Sequence, residues 1–578
     1  MPILLLVLGI VAPLFLRVYD NNSLVLTLLV LAIAYAVFVY LGPSKSMSTY
    51  AIALFAISLS ILICFNLRTN HVFGNDINLE LYTFKLTFES GYWNPSSLYS
   101  SCLSITILPA VVSSLTGISG ELIFKLMYPF ILSFIPVLMY SLYQRWLGKS
   151  LSFGVSMFMI ASTIYLLHMP SLARQIVALF LFVLVFFLIF RNKGRRSHAE
   201  TFCIILLSFG VITSHYTVGL IFITTLFALT FYTYMRKLIM KMRKRPNGES
   251  AVSIVPLSHF LIIFSLGLLW YGFATQVPLD YSISSMRFFI DRFSEFLNLS
   301  SRSSYALELV GIIPRQGLPN IIGYWLGNLI RGLIVLGLLA SLLKKSLRFH
   351  FKIRREFVLL GIISILGLFS ALIIPYVTTV MNLDRLYLIS LVFLLPFLGV
   401  GAAFLSLYIH RLGVSKKKAL KIILSAILIV QMFYATGLLN QITGYPSFVV
   451  LNSFDTSTNY NDLSPDSRYF IFDGEISSIN WMANFIPSSR LDNIVADPIG
   501  KLTMSSYGLI HYNYENELRS DESNYLIQSG NYFYLRYENT KYGKIYVGTY
   551  ILIGNLTSEL LQQNRIYDNS ISTVYSVP

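Results

Sequence analysis

Two adjoining stretches decide the fold: YAIALFAISLSILICFN at 50–66 and NHVFGNDINLELYTF at 70–84. The first is an apolar run close to the roughly 20 residues a helix needs to cross a bilayer. The second is polar and aromatic, and carries Asp76 and Glu80 four residues apart. In a helix that spacing puts both carboxylates on one face. The pair reads as a membrane span followed by a loop outside the membrane, with an acidic helix at the mouth of a helical bundle.

The pattern repeats along the chain. Of 578 residues, 55% are hydrophobic and only 12% charged, against about 25% charged in average soluble domains. Thirteen runs of span-like length stand out: 2–16, 24–41, 50–66, 121–143, 151–167, 176–190, 201–214, 218–235, 254–271, 321–343, 357–374, 386–407 and 419–439. The expected fold is therefore an all-α polytopic membrane bundle of about 13 transmembrane helices over residues 1–440.

The net charge of +16 is a topology signal rather than a nucleic-acid surface. More than half of the Lys and Arg residues fall in six short loops between apolar runs. After residue 440 there are 8 basic and 14 acidic residues. The loops at Arg145/Lys149, Arg191–Arg196, Arg236–Arg245, Lys344–Arg355 and Arg411–Lys418 are separated by two spans each. All five fall on one side, which the positive-inside bias makes cytoplasmic, together with Lys45 and the N-terminus. The outer face then holds loops 67–120 and 272–320, the short turns at 168–175, 214–217 and 375–385, and everything after 440. The protein is expected in the cell membrane, with membrane lipids as its surroundings and no nucleic-acid partner.

LSITILPAVVSSLTG at 103–117 is too short to span and suits an interfacial or re-entrant segment. RFFIDRFSEF at 287–296 reads as an amphipathic helix at the interface. Residues 441–578 lose the long apolar runs and read as a small extracytoplasmic α/β or α+β domain. RYFIF (468–472), NYFYLRYEN (531–539) and KIYVGTYILIG (544–554) are expected strands, and INWMANFI (479–486) a short helix. Cys64, Cys102 and Cys203 lie too far apart for a metal or disulfide framework. Residues 2–16 lack a basic n-region and cleavage site, so they read as a retained helix.

The polar residues on the expected outer face are the chemical candidates. Asp76 is the foremost: a carboxylate that could act as general base on a sugar hydroxyl, or with Glu80 hold a divalent cation (Mg or Mn). The bland alternative is a solvated loop. Arg174 and Gln175, beside His168, sit where the charge bias disfavours Arg; a guanidinium there can bind phosphate bidentately, or snorkel. His215 and Tyr216 form a tight turn where a histidine could bind phosphate or move a proton. Arg385 is a second phosphate contact unless it pairs with Asp384. Arg331 lies deep inside a span and is a functional candidate on that ground. Lys125 is near a span end and can snorkel. Arg315 and Gln316 are weaker candidates. Asp497, in IVADPIGKL, reads as a helix cap.

GNDINLELY (74–82), LSITILPAV (103–111), YPFILSFIPVLMY (128–140), and LARQIVALF with SHYT further on resemble an archaeal family of uncharacterised multi-pass membrane proteins. The layout more broadly resembles the GT-C superfamily of integral-membrane glycosyltransferases. That resemblance implies transfer of a sugar from a polyprenyl-phosphate donor, with inversion, on the outer face. By it Asp76 would be the base or a metal ligand, and Arg174, His215, Arg385 and Arg331 would face the donor phosphate. The chain departs from the superfamily in three ways. It has no adjacent Asp-Glu pair in this loop, no WWDYG-like motif in the outer domain, and its acidic loop follows the third span rather than the first. A transporter or flippase would want internal repeats and mid-membrane polar sites, and no repeat is visible. A scaffold for a cell-surface complex would leave the outer polar clusters idle.

Overall fold

In a computed structural model the described residues are 1–191, 196–242, 254–315, 317–343, 351, 353–380, 382–409, 415–445, 451, 469–511, 530–546, 550–552 and 562–577. Gln316 and parts of four basic loops lie outside them. Each of the thirteen apolar runs is helical. Among the described residues eleven helices, from Pro2–Tyr19 to Lys416–Ala435, are long and apolar enough to cross a membrane. The fifth run, by contrast, is a broken pair, Lys149–Ile160 and Ile164–Ser171, bent by 58°. The seventh is the 17-residue helix His198–Ser214. Against the expected thirteen or so, the described residues hold eleven spans, or twelve with the broken pair.

The break is locally satisfied. Backbone groups freed inside a membrane need new partners, and Gln431 Nε2 donates to the Ala161 carbonyl at 3.0 Å. Residues 103–117 hold no span: Ile107–Thr116 is a ten-residue helix. The segment before it is tied down by Leu103 N–H donating to Thr213 O (2.9 Å) and Ser104 Oγ donating to Ser214 O (2.8 Å).

The closest helix crossing joins Leu318–Leu343 to Leu383–Ile409. A Cβ added at Gly337 would lie 1.9 Å from the Phe397 carbonyl oxygen, and one at Gly401 2.0 Å from that of Leu333. Small residues let membrane helices meet backbone to backbone where lipid supplies no hydrophobic drive. This crossing fixes the rotation of the helix that begins with Leu383, Asp384 and Arg385.

Among the described residues, strands occur only after residue 440. A four-stranded sheet has the order β1-β2-β6-β5, with β1 (Ile494–Val495), β2 (Tyr532–Leu535), β5 (Asn564–Asp568) and β6 (Thr573–Ser576). The β1/β2 pair is parallel, the other two antiparallel. KIYVGTYILIG contributes a separate two-stranded ribbon, β3 (Lys544–Tyr546) with β4 (Tyr550–Leu552). Ile479, Met482, Ile494, Met504, Tyr534 and Val574 form the core with helices Asp473–Phe485 and Pro498–Gly508. Two expectations are corrected. INWMANFI is helical as expected, but as the C-terminal half of a longer helix, Asp473–Phe485, with Ile486 just past its end. RYFIF is not a strand over its described residues, 469–472. Its rings pack on the acidic loop instead, Phe470 lying 5.2 Å from Phe73 between centroids, and Arg536 Nη2 donates to the Phe470 carbonyl.

The sheet region sits on the acidic loop. Ser506 Oγ donates to Asn78 Oδ1 (2.8 Å) and Tyr507 OH to Glu121 Oε1 (2.7 Å). His71 bridges Glu121 (Nδ1, 3.1 Å) and Asp473 (Nε2, 2.8 Å).

Candidate functional site

The motif GND builds the start of the Asp76–Ser90 helix. Gly74 has φ of +125°, and a Cβ there would strike Ser171 Cβ at 2.3 Å, so no other residue fits without movement. Asn78 Nδ2 donates back to the Gly74 carbonyl at 2.7 Å. Asp76 follows as the first helical residue, where a negative charge suits the helix dipole. Glu80 falls one turn on, fully buried.

Glu80 Oε2 accepts the backbone N–H of Ala173 at 2.7 Å. That N–H opens the Ala173–Arg191 helix and would have no intrahelical partner. Arg174, only 2% exposed, comes next. Its Nε lies 3.2 Å from Glu80 Oε1 and its Nη2 3.4 Å from Asp76 Oδ2. Its guanidinium stacks 3.9 Å from the centre of the Tyr99 ring, a contact that favours the cation. Arg385 arrives from the far end of the sequence and places Nη2 2.5 Å from Asp76 Oδ2. It pairs with Asp76, not with its neighbour Asp384. Two carboxylates therefore meet two guanidiniums, and the cluster is neutral when all four are ionised. Burial pushes Glu80 up to about 8; Arg174 opposes this and the Asp76 charge adds to it.

His215 closes the His198–Ser214 helix and is 3% exposed. Its Nδ1 accepts the Thr217 N–H at 3.2 Å, which leaves Nε2 as the protonated nitrogen. Burial, then Arg174 and Arg385, hold its pKa well below the ordinary histidine value. It is a neutral donor. Among the described residues, His215 Nε2 and both amide atoms of the buried Gln175 have no hydrogen-bond partner. A buried unsatisfied group costs about 1–3 kcal/mol, so such a set calls for water or a ligand. Gln175, His215 and Arg385 are among the residues that line a cavity of about 220 Å³. Val218, Met286, Phe289 and Ile389 make its apolar walls.

Arg331 stands apart from this cluster. It lines a second cavity of about 570 Å³ with His168, Arg315 and Asp384, and its Nη2 bonds Asn328 Oδ1. The reason is helical geometry: Asp384 and Arg385 are consecutive, about 100° apart around the helix, so they face different cavities. Lys125 is buried and donates to the Thr69 and Asn70 carbonyls, which holds the loop before Asp76 in place. Asp497 caps its helix as read, accepting from Gly500 N at 2.6 Å. Arg315 pairs with Glu308 at 3.5 Å.

Asp76 and Glu80 do not fit a divalent cation. Their oxygens face two guanidiniums and a backbone N–H, and a dication there would stand against two positive charges. Among the described residues no third carboxylate, histidine or cysteine joins them. Tyr99, the stacking platform, and the His71 bridge were not apparent from the sequence. No spacing rule links His71 to Asp473.

The fold and this cluster define a polytopic membrane protein with a buried carboxylate–guanidinium centre at the end of the bundle that carries the sheet region. Residues 201–576 match the family described as predicted membrane protein (DUF2206), and the chain belongs to that family. The matched part includes His215, Arg331, Arg385 and the sheet region, and begins after Asp76, Glu80 and Arg174. No curated protein matches the chain. Two crystal structures of ArnT from Cupriavidus metallidurans are similar in fold. The one bound to undecaprenyl phosphate has 10% identity and a TM-score of 0.43, over 92% of this chain and 97% of that one. The apo structure has 11% identity and a TM-score of 0.46, over 92% and 98%.

Proposed function

We propose that this protein is a membrane glycosyltransferase that moves a sugar from a polyprenyl-phosphate donor to an acceptor on the outer face of the cell membrane. In this reading residues 1–440 are the membrane bundle, the N-terminus is cytoplasmic, and residues 441–578 form an extracytoplasmic domain.

The observation that carries the reading is Arg385, which touches Asp76 and also lines the cavity beside it. A phosphate entering that cavity would meet Arg385, His215 Nε2 and Gln175, while the isoprenoid chain follows the apolar wall. As Arg385 turns to the phosphate, it releases the Asp76 oxygen it holds, which is then free to accept a hydrogen bond from an acceptor hydroxyl. Asp76 then takes the proton of an acceptor hydroxyl. The hydroxyl oxygen attacks the anomeric carbon, and the carbon–oxygen bond to phosphate breaks with inversion. The leaving phosphate keeps the electron pair, and Arg385 offsets its charge. Glu80 and Arg174 are too buried to touch substrate; they position Asp76. Arg331, across the helix, takes no part in holding this phosphate.

The test is transfer of labelled sugar from a polyprenyl-phosphate donor by the purified protein. Asp76→Asn abolishes transfer while leaving the protein folded and inserted, and Arg385→Gln weakens donor binding. A fully active Asp76→Asn variant removes Asp76 from the mechanism. Mass spectrometry of surface glycans in a deletion strain, complemented with the same variant, identifies sugar and acceptor. Orientation is checked in a Cys203→Ser background by a cysteine at the exposed Asn484. Labelling by an impermeant maleimide in intact cells is expected; protection refutes the topology.

A further inference from the structure

The second cavity is unlike the first. It lies between the break in the fifth helical run, the Leu318–Leu343 helix, and the ends of helices Leu383–Ile409 and Lys416–Ala435. At about 570 Å³ it is within the roughly 300–1,000 Å³ usual for small-molecule sites. Its walls mix donors and acceptors: Arg331 and Arg315 face the same space as Asp384 and Glu308. Gln431 spends its amide N–H₂ on Ala161 and leaves its carbonyl oxygen without a partner among the described residues. The rings of Tyr324, Tyr387 and Tyr434 supply flat faces.

This lining discriminates between headgroups. A phosphate offers acceptors only, and two carboxylates on the wall oppose it. A sugar hydroxyl both donates and accepts, so it can use carboxylates and guanidiniums together. The cavity also runs into an apolar slot of about 210 Å³, with which it shares Arg331, Asp384 and Tyr387. That slot is walled by residues such as Ile334, Ile365 and Leu368. Val335 and Phe369 on its rim are 44% and 60% exposed, on helices that cross the membrane, so the slot opens sideways towards lipid.

We infer that this chamber and slot bind a glycolipid, with its hydroxyl-rich headgroup in the chamber and its hydrocarbon in the slot. Resting on the proposed transferase activity, the bound glycolipid is the acceptor. Asp384 and Arg385 are consecutive on one helix, so the two sites adjoin across a single turn.

Binding is measured first, without turnover, on the full-length protein in nanodiscs. Three probes share the same pair of alkyl chains and differ in the head: glucosyl, phosphate, or none. The glucosyl lipid is expected to be retained at least ten-fold better than the other two. Arg331→Gln, Gln431→Leu and Gly327→Phe should each lower that retention ten-fold or more. Gly327 lines the chamber, and the nearest atoms to a Cβ there belong to the Arg331 guanidinium, 3.3 Å away, so the added ring displaces the flexible end of that side chain and occupies chamber space. Variants are compared only if they elute as monodisperse protein, and three substitutions at different walls guard against one that fails to fold. Equal or better retention of the phosphate-headed lipid overturns the inference, as does retention unchanged by all three substitutions. The acceptor role is read separately, by transfer of labelled sugar to the glucosyl lipid. Binding without transfer overturns the acceptor role and leaves the site standing. Transfer to another acceptor with no glycolipid binding overturns the site and leaves the transferase reading standing.

Discussion

Replacing Arg174 by Met isolates what holds the charged centre together. Methionine keeps an apolar stem of similar length, so packing on Tyr99 is largely preserved while the charge goes. In the native protein Arg174 lies 3.2 Å from Glu80 and 3.4 Å from Asp76. Without it Arg385 alone faces two carboxylates, and Glu80 is fully buried. Removing one partner of a buried ion pair typically costs about 3–5 kcal/mol. The lost cation–ring contact adds about 0.5–2 kcal/mol. Protonating Glu80 limits the loss, so the variant should be least destabilised at acid pH. Glu80→Gln in the same chain removes the unmatched charge but keeps an acceptor for the Ala173 N–H. The double variant should recover much of the loss, with a coupling of about 1–3 kcal/mol. The assay is the fraction of monodisperse protein surviving a temperature series in detergent, for wild type, both single variants and the double, at pH 5.5 and 8.5. A single Arg174→Met variant as stable as wild type, or a double no better than that single, would refute the account of a compensated buried cluster.

Three further outcomes follow from the same geometry. In the wild type Glu80 is raised to about 8, above its unfolded value. Its contribution to stability is fully present below about pH 4.3 and is lost as pH rises through 8, and Glu80→Gln should flatten that part of the stability–pH curve. His71 is also raised: burial opposes its protonation, but Glu121 and Asp473 more than reverse this. Its grip on the sheet region is complete below about pH 6.5 and weakens as pH rises through the raised value. Hydrogen-exchange protection in residues 498–508, taken relative to the intrinsic base-catalysed rate, should therefore fall at alkaline pH, and His71→Gln should abolish that fall. Gly337→Leu forces the Leu318–Leu343 and Leu383–Ile409 helices apart, since its Cβ alone would overlap the Phe397 carbonyl. It should shift Arg385 and reduce sugar transfer more than ten-fold even where the protein still inserts, whereas Gly332→Leu, with open space around it, should not.

The parts of this molecule that could be read from its sequence are those written in local spacing. Apolar runs gave the helices, and the four-residue interval gave Asp76 and Glu80 a common face. The anomaly of Arg174 on the side poor in basic residues pointed to a partner, and it has two. What was not legible is rotation and long-range docking. Nothing in the residues around 331 or 385 tells which cavity each faces; a crossing at Gly337 and Gly401, six residues beyond Arg331 and sixteen beyond Arg385, sets it. RYFIF has the composition of a strand, but its aromatic rings serve contacts with Phe73 in the acidic loop. The seventh run fell short of a full span because it ends in SHYT, where His215 takes extended backbone and stops the helix.

Glu80 and its guanidinium are separated by almost a hundred residues of chain, and Asp76 and Arg385 by about three hundred. At ribosomal speeds of about 5–20 residues per second, Glu80 emerges roughly 5–20 s before Arg174. Arg385 follows roughly 10–40 s later still. Through that interval the nascent chain holds an acid without its counter-ion, beside helices already handed to the bilayer. The loop must therefore wait in water, and its centre can be completed only when the first two thirds of the protein have been made. A ribosome stalled in between leaves that loop unneutralised.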